Sequence, residues 1–263
     1  MPAKEKDHTA GTLPGGCNFP ERPAAARTSA PAAGAKDPAE GGLDPAEGIW
    51  APAGSPPAAP IPAAPASRIL CVTARKLCPS GIPSFLEQVE RIAQAGPLGI
   101  ILREKDLTEE AYFKLLLQCR DICRLYQVPL FAHTFVDAAK KAGILRIHLS
   151  LPVFIKLGRR PQGFHTVGTS IHSLDEAKKA VDLGADYLTA GHIFETDCKA
   201  GLPGRGLAFL EEICHFSPVP VYAIGGITPK NMPDILKAGA AGGCMMSSLM
   251  TAKDPGALML IPC

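Results

Sequence analysis

From Arg68 onward, short apolar runs alternate with longer stretches whose apolar positions recur every three or four residues. Runs of the first kind, bounded by turn formers, predict strands, and stretches of the second kind predict amphipathic helices. Strands are expected at 68–74 (RILCVTA), 98–104 (LGIILRE), 129–133 (PLFAH), 144–150 (ILRIHLS), 164–171 (FHTVGTSI), 185–191 (ADYLTAG), 219–227 (VPVYAIGGI) and 241–248 (AGGCMMSS). Helices are expected between them at 84–96, 108–128, 136–143, 173–184, 207–216 and 229–239. Segment 151–163 reads as a poor helix at best, and a weak last helix falls near 248–252. Thr108 and Glu110 give one helix a polar, acidic start, while Ser173 and Glu176 form a capping box on another.

Eight strands alternating with helical segments fit a (βα)8 TIM barrel of the α/β class. A doubly wound sheet would carry an early phosphate-binding glycine loop. Here the first strand runs into TARKLCPSG, and the glycine pairs fall late, after the seventh strand and at the eighth. Barrels commonly bind phosphate at those positions.

Composition divides the chain. Thirteen of its 26 prolines lie in the first 65 residues, among Ala/Gly runs and the tandem DPAEGGLDPAEG. Residues 1–66 are therefore expected to form a disordered Ala/Pro/Gly-rich tail, and 67–263 the barrel. A formal net charge of +2 gives no field for nucleic acid or a membrane surface. No apolar run has the ~18 residues of a membrane span, and the N-terminus lacks a secretory apolar core. A cytoplasmic location is expected. The nine cysteines, irregularly spaced, are expected to be reduced and mostly buried.

In such a barrel the functional face is the C-terminal end of the strands. Gly225 and Gly226 at one tip, with Ser247 and Ser248 at the next, are expected to supply donors for a phosphomonoester, the alternative being that the glycines merely permit a tight turn. Arg103 and Lys105 share one side of their strand and suit an anion clamp or a solvated rim. His172, beside Ser170 at a strand tip, could exchange protons at neutral pH or be a satisfied structural histidine. His133 and His148 read closer to structural histidines. No acidic pair with metal spacing occurs at the third and fourth strand ends, so neither a metal nor a cofactor is expected.

LREK (102–105), SIHSLDEAKKAVDLGADYL (170–188), GHIFETDCKAGLPGRGL (191–207) and AIGGITP (223–229) are specific together. Through them the stretch from Arg68 to Pro255 resembles the thiamine phosphate synthase/TenI superfamily. The third motif looks like the TenI branch, the thiazole tautomerases. That resemblance implies a metal-independent isomerase moving a proton from ring C2 of a carboxythiazole phosphate to its exocyclic carbon. It implies His172, in the S-x-H-S motif, as general base. Arg103 and Lys199 align with cationic positions that both branches keep. Lys199 would then sit on an active-site cover, 191–206, fixed by Glu195 or Asp197 paired with Arg205 or Lys199. The synthases of the superfamily hold Mg²⁺ on an Asn-Asp after the third strand and an Asp after the fourth. This chain has His133 and Thr134 at the first place and no acid at the second. The alternatives are a Mg-dependent thiamine phosphate synthase and a non-catalytic TenI-like regulator whose tail docks a partner. A phosphorylated thiazole is the expected small-molecule partner, and a homodimer is left open.

Overall fold

A computed structural model describes residues 67–196 and 201–259. The expected tail 1–66, the loop positions Asp197 and Lys199, and the last four residues lie outside the described residues. No helix among the described residues is long and apolar enough to cross a membrane.

Eight parallel strands close on themselves in chain order: β1 (Ile69–Val72), β2 (Gly99–Leu102), β3 (Leu130–His133), β4 (Arg146–Ser150), β5 (Thr166–Ile171), β6 (Tyr187–Gly191), β7 (Val221–Ile224) and β8 (Gly242–Met245). The ring shuts where Leu70 of β1 meets Cys244 of β8. Around it lie α1 (Gly81–Gln94), α2 (Glu109–Leu125), α3 (Val136–Lys141), α4 (Leu151–Leu157), α5 (Leu174–Asp182), α6 (Gly206–Phe216), α7 (Met232–Lys237), α8 (Ser247–Thr251) and α9 (Gly256–Met259). The strand–helix alternation expected from the sequence is therefore the observed (βα)8 barrel.

Two boundaries are corrected. Segment 151–163 opens with a seven-residue helix, α4, despite its β-branched residues. Pro152 lies in the first turn, where a missing N–H costs nothing, and Gly158 ends the helix at φ 67°. Leu151 and Phe154 bury its inner face. The last strand stops at Met245, so Ser247 and Ser248 open α8 instead of ending β8.

Parallel strands covered by helices are buried on both faces, which explains their nearly unbroken apolar runs. Side-chain parity still divides them into two layers. Ile69, Cys71, Ile100, Leu102, Leu130, Ala132, Leu188 and Ala190 pack outward against the helices. Leu70, Val72, Ile101, Phe131, Tyr187 and Cys244 fill the barrel interior. At the base, Met259 of α9 is buried and accepts a hydrogen bond from Ser67 Oγ at 3.6 Å.

Tyr112 on α2 locks two strand tips together. Its hydroxyl donates to the Leu102 carbonyl at 2.8 Å and accepts from the His133 N–H at 2.7 Å, with the side chain fully buried. Tyr112→Phe strands both backbone groups and is expected to cost about 2 kcal/mol. Urea denaturation checks this: the midpoint should fall with an unchanged slope.

Candidate active site

Continued past the strand ends, the inward parity designates the residues at the mouth. From β2 it reaches Arg103 and Lys105, from β3 His133, and from β4 His148 and Ser150. From β5 it reaches Ser170 and His172, and from β6 Thr189 and Gly191. All of these line one cavity of about 830 Å³ at the C-terminal end of the barrel, together with Gly225, Gly226, Ser247 and Ser248. That volume suits a small molecule. Every described residue among the expected site positions thus borders the same space; Lys199 lies outside the described residues.

One corner leaves backbone N–H groups without protein acceptors. Gly225 has φ 99° and Gly226 φ 65°. A Cβ on Gly225 would overlap the Cβ of His192, and one on Gly226 would lie 2.5 Å from the Glu195 carbonyl oxygen. Backbone therefore comes close where no side chain fits. The expected helix start near Pro229 is displaced: α7 begins only at Met232. A turn stands in its place, in which Asn231 Oδ1 accepts from the Thr228 N–H at 2.8 Å. Asn231 Nδ2 donates to the Gly226 carbonyl at 2.9 Å. This holds the Gly226 carbonyl. Among the described residues, neither the Gly226 nor the Ile227 N–H has a protein acceptor. The Ser247 and Ser248 amides, in the first turn of α8, lack intrahelical acceptors as well.

The tip of β2, one strand beyond β8 and β1 in the ring, carries charge. Arg103 and Lys105 make no salt bridge among the described residues. Partial burial, and then the Arg103 charge, lower the Lys105 ammonium from its ordinary value. Glu104, between them, points the other way. It accepts from Thr73 Oγ1 at 2.7 Å and from the Arg75 N–H at 3.0 and 3.1 Å, and burial raises its carboxyl pKa.

Below these cations lie two stacked imidazoles, His133 and His148, with ring centroids 5.8 Å apart. His148 is bonded at both nitrogens, Nδ1 to Tyr187 Oη at 2.9 Å and Nε2 to Ser170 Oγ at 2.8 Å. Thr189 Oγ1 donates to the same Ser170 oxygen at 2.9 Å. His133 Nδ1 is 2.7 Å from Thr134 Oγ1. Thr134 is a β-branched residue at φ 68°, a conformation costing on the order of 1–3 kcal/mol. The tip of β3 holds it there through Thr134 N–H to the His148 carbonyl at 3.1 Å.

Burial pushes the His133 pKa down to about 2, with the His148 and Arg103 charges adding to it, and lowers His148 to about 3. Both rings are therefore neutral in the fold. Their unfolded value is 6.5, so below that pH the unfolded chain binds protons that the fold refuses. Stability is full above pH 6.5 and falls as the solution is acidified. At pH 5 the loss should be roughly 2 kcal/mol for each ring. Urea titrations at pH 7 and pH 5 check this, since a His133→Asn/His148→Gln double variant should show a shallower drop.

His172 is oriented by its surroundings. Its Nδ1 lies 2.7 Å from the Gly191 carbonyl, which only accepts, so Nδ1 carries a proton, and in the neutral ring the lone pair would be on Nε2. The expected N-cap forms, with Ser173 Oγ accepting from the Glu176 N–H at 3.2 Å. The Glu176 carboxylate returns to the His172 N–H at 2.5 Å, one residue earlier than a standard capping box.

The long segment after β6 is tied at its base. Arg205 N–H donates to the His192 carbonyl and Gly206 N–H to the Ile193 carbonyl, both at 2.9 Å. The expected pairing of Arg205 with Glu195 does not form. The Arg205 guanidinium lies over the Phe209 ring, 5.3 Å from its centroid. Tyr187, Thr189, Thr196 and Thr228 were not singled out from the sequence. Strand parity could have found Thr189, whereas the Tyr187–His148 contact joins residues 39 apart and leaves no local signal. The six described cysteines are free, and five are buried.

A closed (βα)8 barrel with an anion corner at β7–β8 and a cationic arc at β2 defines a class of phosphate-handling barrel proteins. The family model described as thiamine monophosphate synthase matches residues 69–249, and the chain belongs to that family. It is 34% identical over 177 residues to thiamine-phosphate synthase 2 of Streptococcus pneumoniae serotype 4, spanning 66% of this chain and 83% of that one. It is also 34% identical over 172 residues to thiamine-phosphate synthase of Lysinibacillus sphaericus, spanning 63% and 81%. Among solved structures, thiamine phosphate pyrophosphorylase from Pyrococcus furiosus superposes with a TM-score of 0.61 at 28% identity, covering 74% of this chain and 92% of that one.

These relatives overturn the expected tautomerase. The resemblance belongs to the superfamily, and the named relatives are synthases, not isomerases. The physical reason lies in the motifs that suggested the TenI branch. They build the β5 tip, the base of the β6 loop and the glycine corner, which are parts of the mouth common to the scaffold. They identify the family and do not separate its branches.

Among the described residues, the donors present do not fit the magnesium that the superfamily's synthases use. The tips of β3 and β4 offer His133, Thr134 and Ser150. Two acids border the cavity, Glu176 and Glu195; Glu176 is engaged by the His172 N–H and Glu195 is exposed, while Glu104 is engaged as described. Among the described residues, no three His, Cys, Asp or Glu side chains converge as a metal shell.

Proposed function

We propose that this cavity couples a pyrimidine diphosphate to a thiazole phosphate, a reading that accords with relatives named thiamine-phosphate synthase. The thiazole ring nitrogen forms a bond to the methylene carbon of the pyrimidine. The carbon–oxygen bond to the diphosphate breaks, and its electron pair leaves on pyrophosphate. The nitrogen becomes a ring cation, so the step balances without an oxidant or a base.

The observation that carries this reading is that two separate groups suited to anions border one cavity, one at the tips of β7 and β8 and the other at β2, with β1 between them. A monophosphate and a diphosphate need two such places, with the reacting carbon and nitrogen held between them. In this reading Gly225, Gly226, Ser247 and Ser248 hold the thiazole phosphate, and Arg103 and Lys105 hold the diphosphate. Ser170 and the Nε2 lone pair of His172 accept hydrogen bonds from the ring substrates and orient them. The barrel interior beneath, with Val72, Ile101 and Cys244, excludes water from a carbon that becomes electron-poor as its leaving group departs.

The purified chain, given both substrates, should release thiamine phosphate and pyrophosphate in equal amounts by chromatography. Absence of thiamine phosphate would overturn the assignment. His172→Phe keeps the volume and removes the acceptor. It also removes the Nδ1–H donor to the Gly191 carbonyl, so kcat/KM should fall about 10- to 100-fold and stability by about 1–2 kcal/mol.

A further inference from the structure

We propose that the diphosphate side of this site works without a divalent cation, its charge being met by Arg103 and Lys105. The inference rests on the coupling reading for the identity of the diphosphate.

The donor set is the first ground. A hard divalent cation needs oxygen ligands, usually including carboxylates. The arc that faces the diphosphate presents imidazole and hydroxyl groups instead. His148 has both nitrogens occupied by Tyr187 and Ser170, and His133 Nδ1 is engaged with Thr134. Glu104, the nearest acid in sequence to both cations, is buried on the outer face and held by Thr73 and the Arg75 backbone.

The cations are the second ground. Arg103 and Lys105 stand two residues apart on the inward side of the same strand extension, and both border the cavity. No described carboxylate neutralises either of them. Two like charges kept together repel one another and gain nothing from each other in the free protein, whereas a polyanion between them satisfies both. The planar guanidinium can grip two phosphate oxygens at once, and the ammonium adds a point charge. The Arg103 backbone is fixed for this by its N–H donating to Thr73 Oγ1 at 2.9 Å.

The test is calorimetric binding of inorganic pyrophosphate to the full-length protein, once in EDTA and once in excess Mg²⁺. Binding in EDTA with an affinity within about twofold of that in Mg²⁺ is expected. Arg103→Ala should weaken it about 30-fold or more, and Arg103→Lys should weaken it less. Binding of the thiazole phosphate by the same variants confirms that they are folded. Pyrophosphate binding that requires Mg²⁺, or that survives Arg103→Ala unchanged, would overturn the inference. The two readings fail separately. A chain that binds pyrophosphate in EDTA and never forms thiamine phosphate removes the coupling assignment alone. One that couples only in Mg²⁺ removes the metal independence alone.

Discussion

Arg103→Ala is expected to lower kcat/KM for coupling by about 100-fold or more while leaving thermal stability unchanged or slightly raised. The combination follows from where the arginine stands. Truncating one partner of a desolvated charge pair costs about 2–5 kcal/mol, because the other charge stays behind uncompensated. Here that other charge belongs to the substrate, so the loss appears in turnover. In the free protein Arg103 has no described acidic partner, and Lys105 is a like-charged neighbour. Removing it relieves repulsion instead of breaking a bridge. Steady-state kinetics and a thermal melt on the same preparation check both halves. A structural arginine would show the reverse, with an early melt and little change in kinetics.

Gly225→Ala is expected to raise the KM for the thiazole phosphate about 30-fold or more and to destabilise the fold by about 2–3 kcal/mol. Two penalties combine at this residue. Its φ of 99° lies outside the region an alanine adopts without strain, and the new Cβ would overlap the Cβ of His192. His192 is buried and starts the segment tied to Arg205. Relief must therefore come from moving the glycine loop, which turns its amides away from the phosphate. Titration of the thiazole phosphate into the variant measures the first effect, and urea denaturation the second. Equal phosphate affinity in the variant would mean that the glycines serve only the turn.

Much of this site was legible in the sequence because two periodic signals do not depend on distant contacts. Strand parity set Arg103 two residues beyond Ile101 and His172 two beyond Ser170, hence on the inner side. Local chemistry marked the Ser173 cap and the Gly225–Gly226 turn. What escaped was tertiary. Helix α4 contains Val153 and Ile155 and has weak intrinsic preference, and it forms because Leu151 and Phe154 find a core. Asn231 gave no sign that it would clasp the Gly226 carbonyl in place of a helix start. Arg205 was expected to pair with Glu195 or Asp197; no pair with Glu195 forms, Asp197 lies outside the described residues, and the guanidinium lies over the ring of Phe209, one helical turn on. The branch of the family was misread because residues that hold a phosphate at a barrel mouth are shared by enzymes with different chemistries.

The two anion places are tested most directly by a crystal structure of the protein with thiamine phosphate and pyrophosphate bound, grown in EDTA. The phosphomonoester should lie against Gly225, Gly226, Ser247 and Ser248, with the pyrophosphate on Arg103 and Lys105 at the tip of β2. A pyrophosphate bound away from both cations, or a phosphomonoester lying on the β2 side, would contradict the assignment of the two arcs.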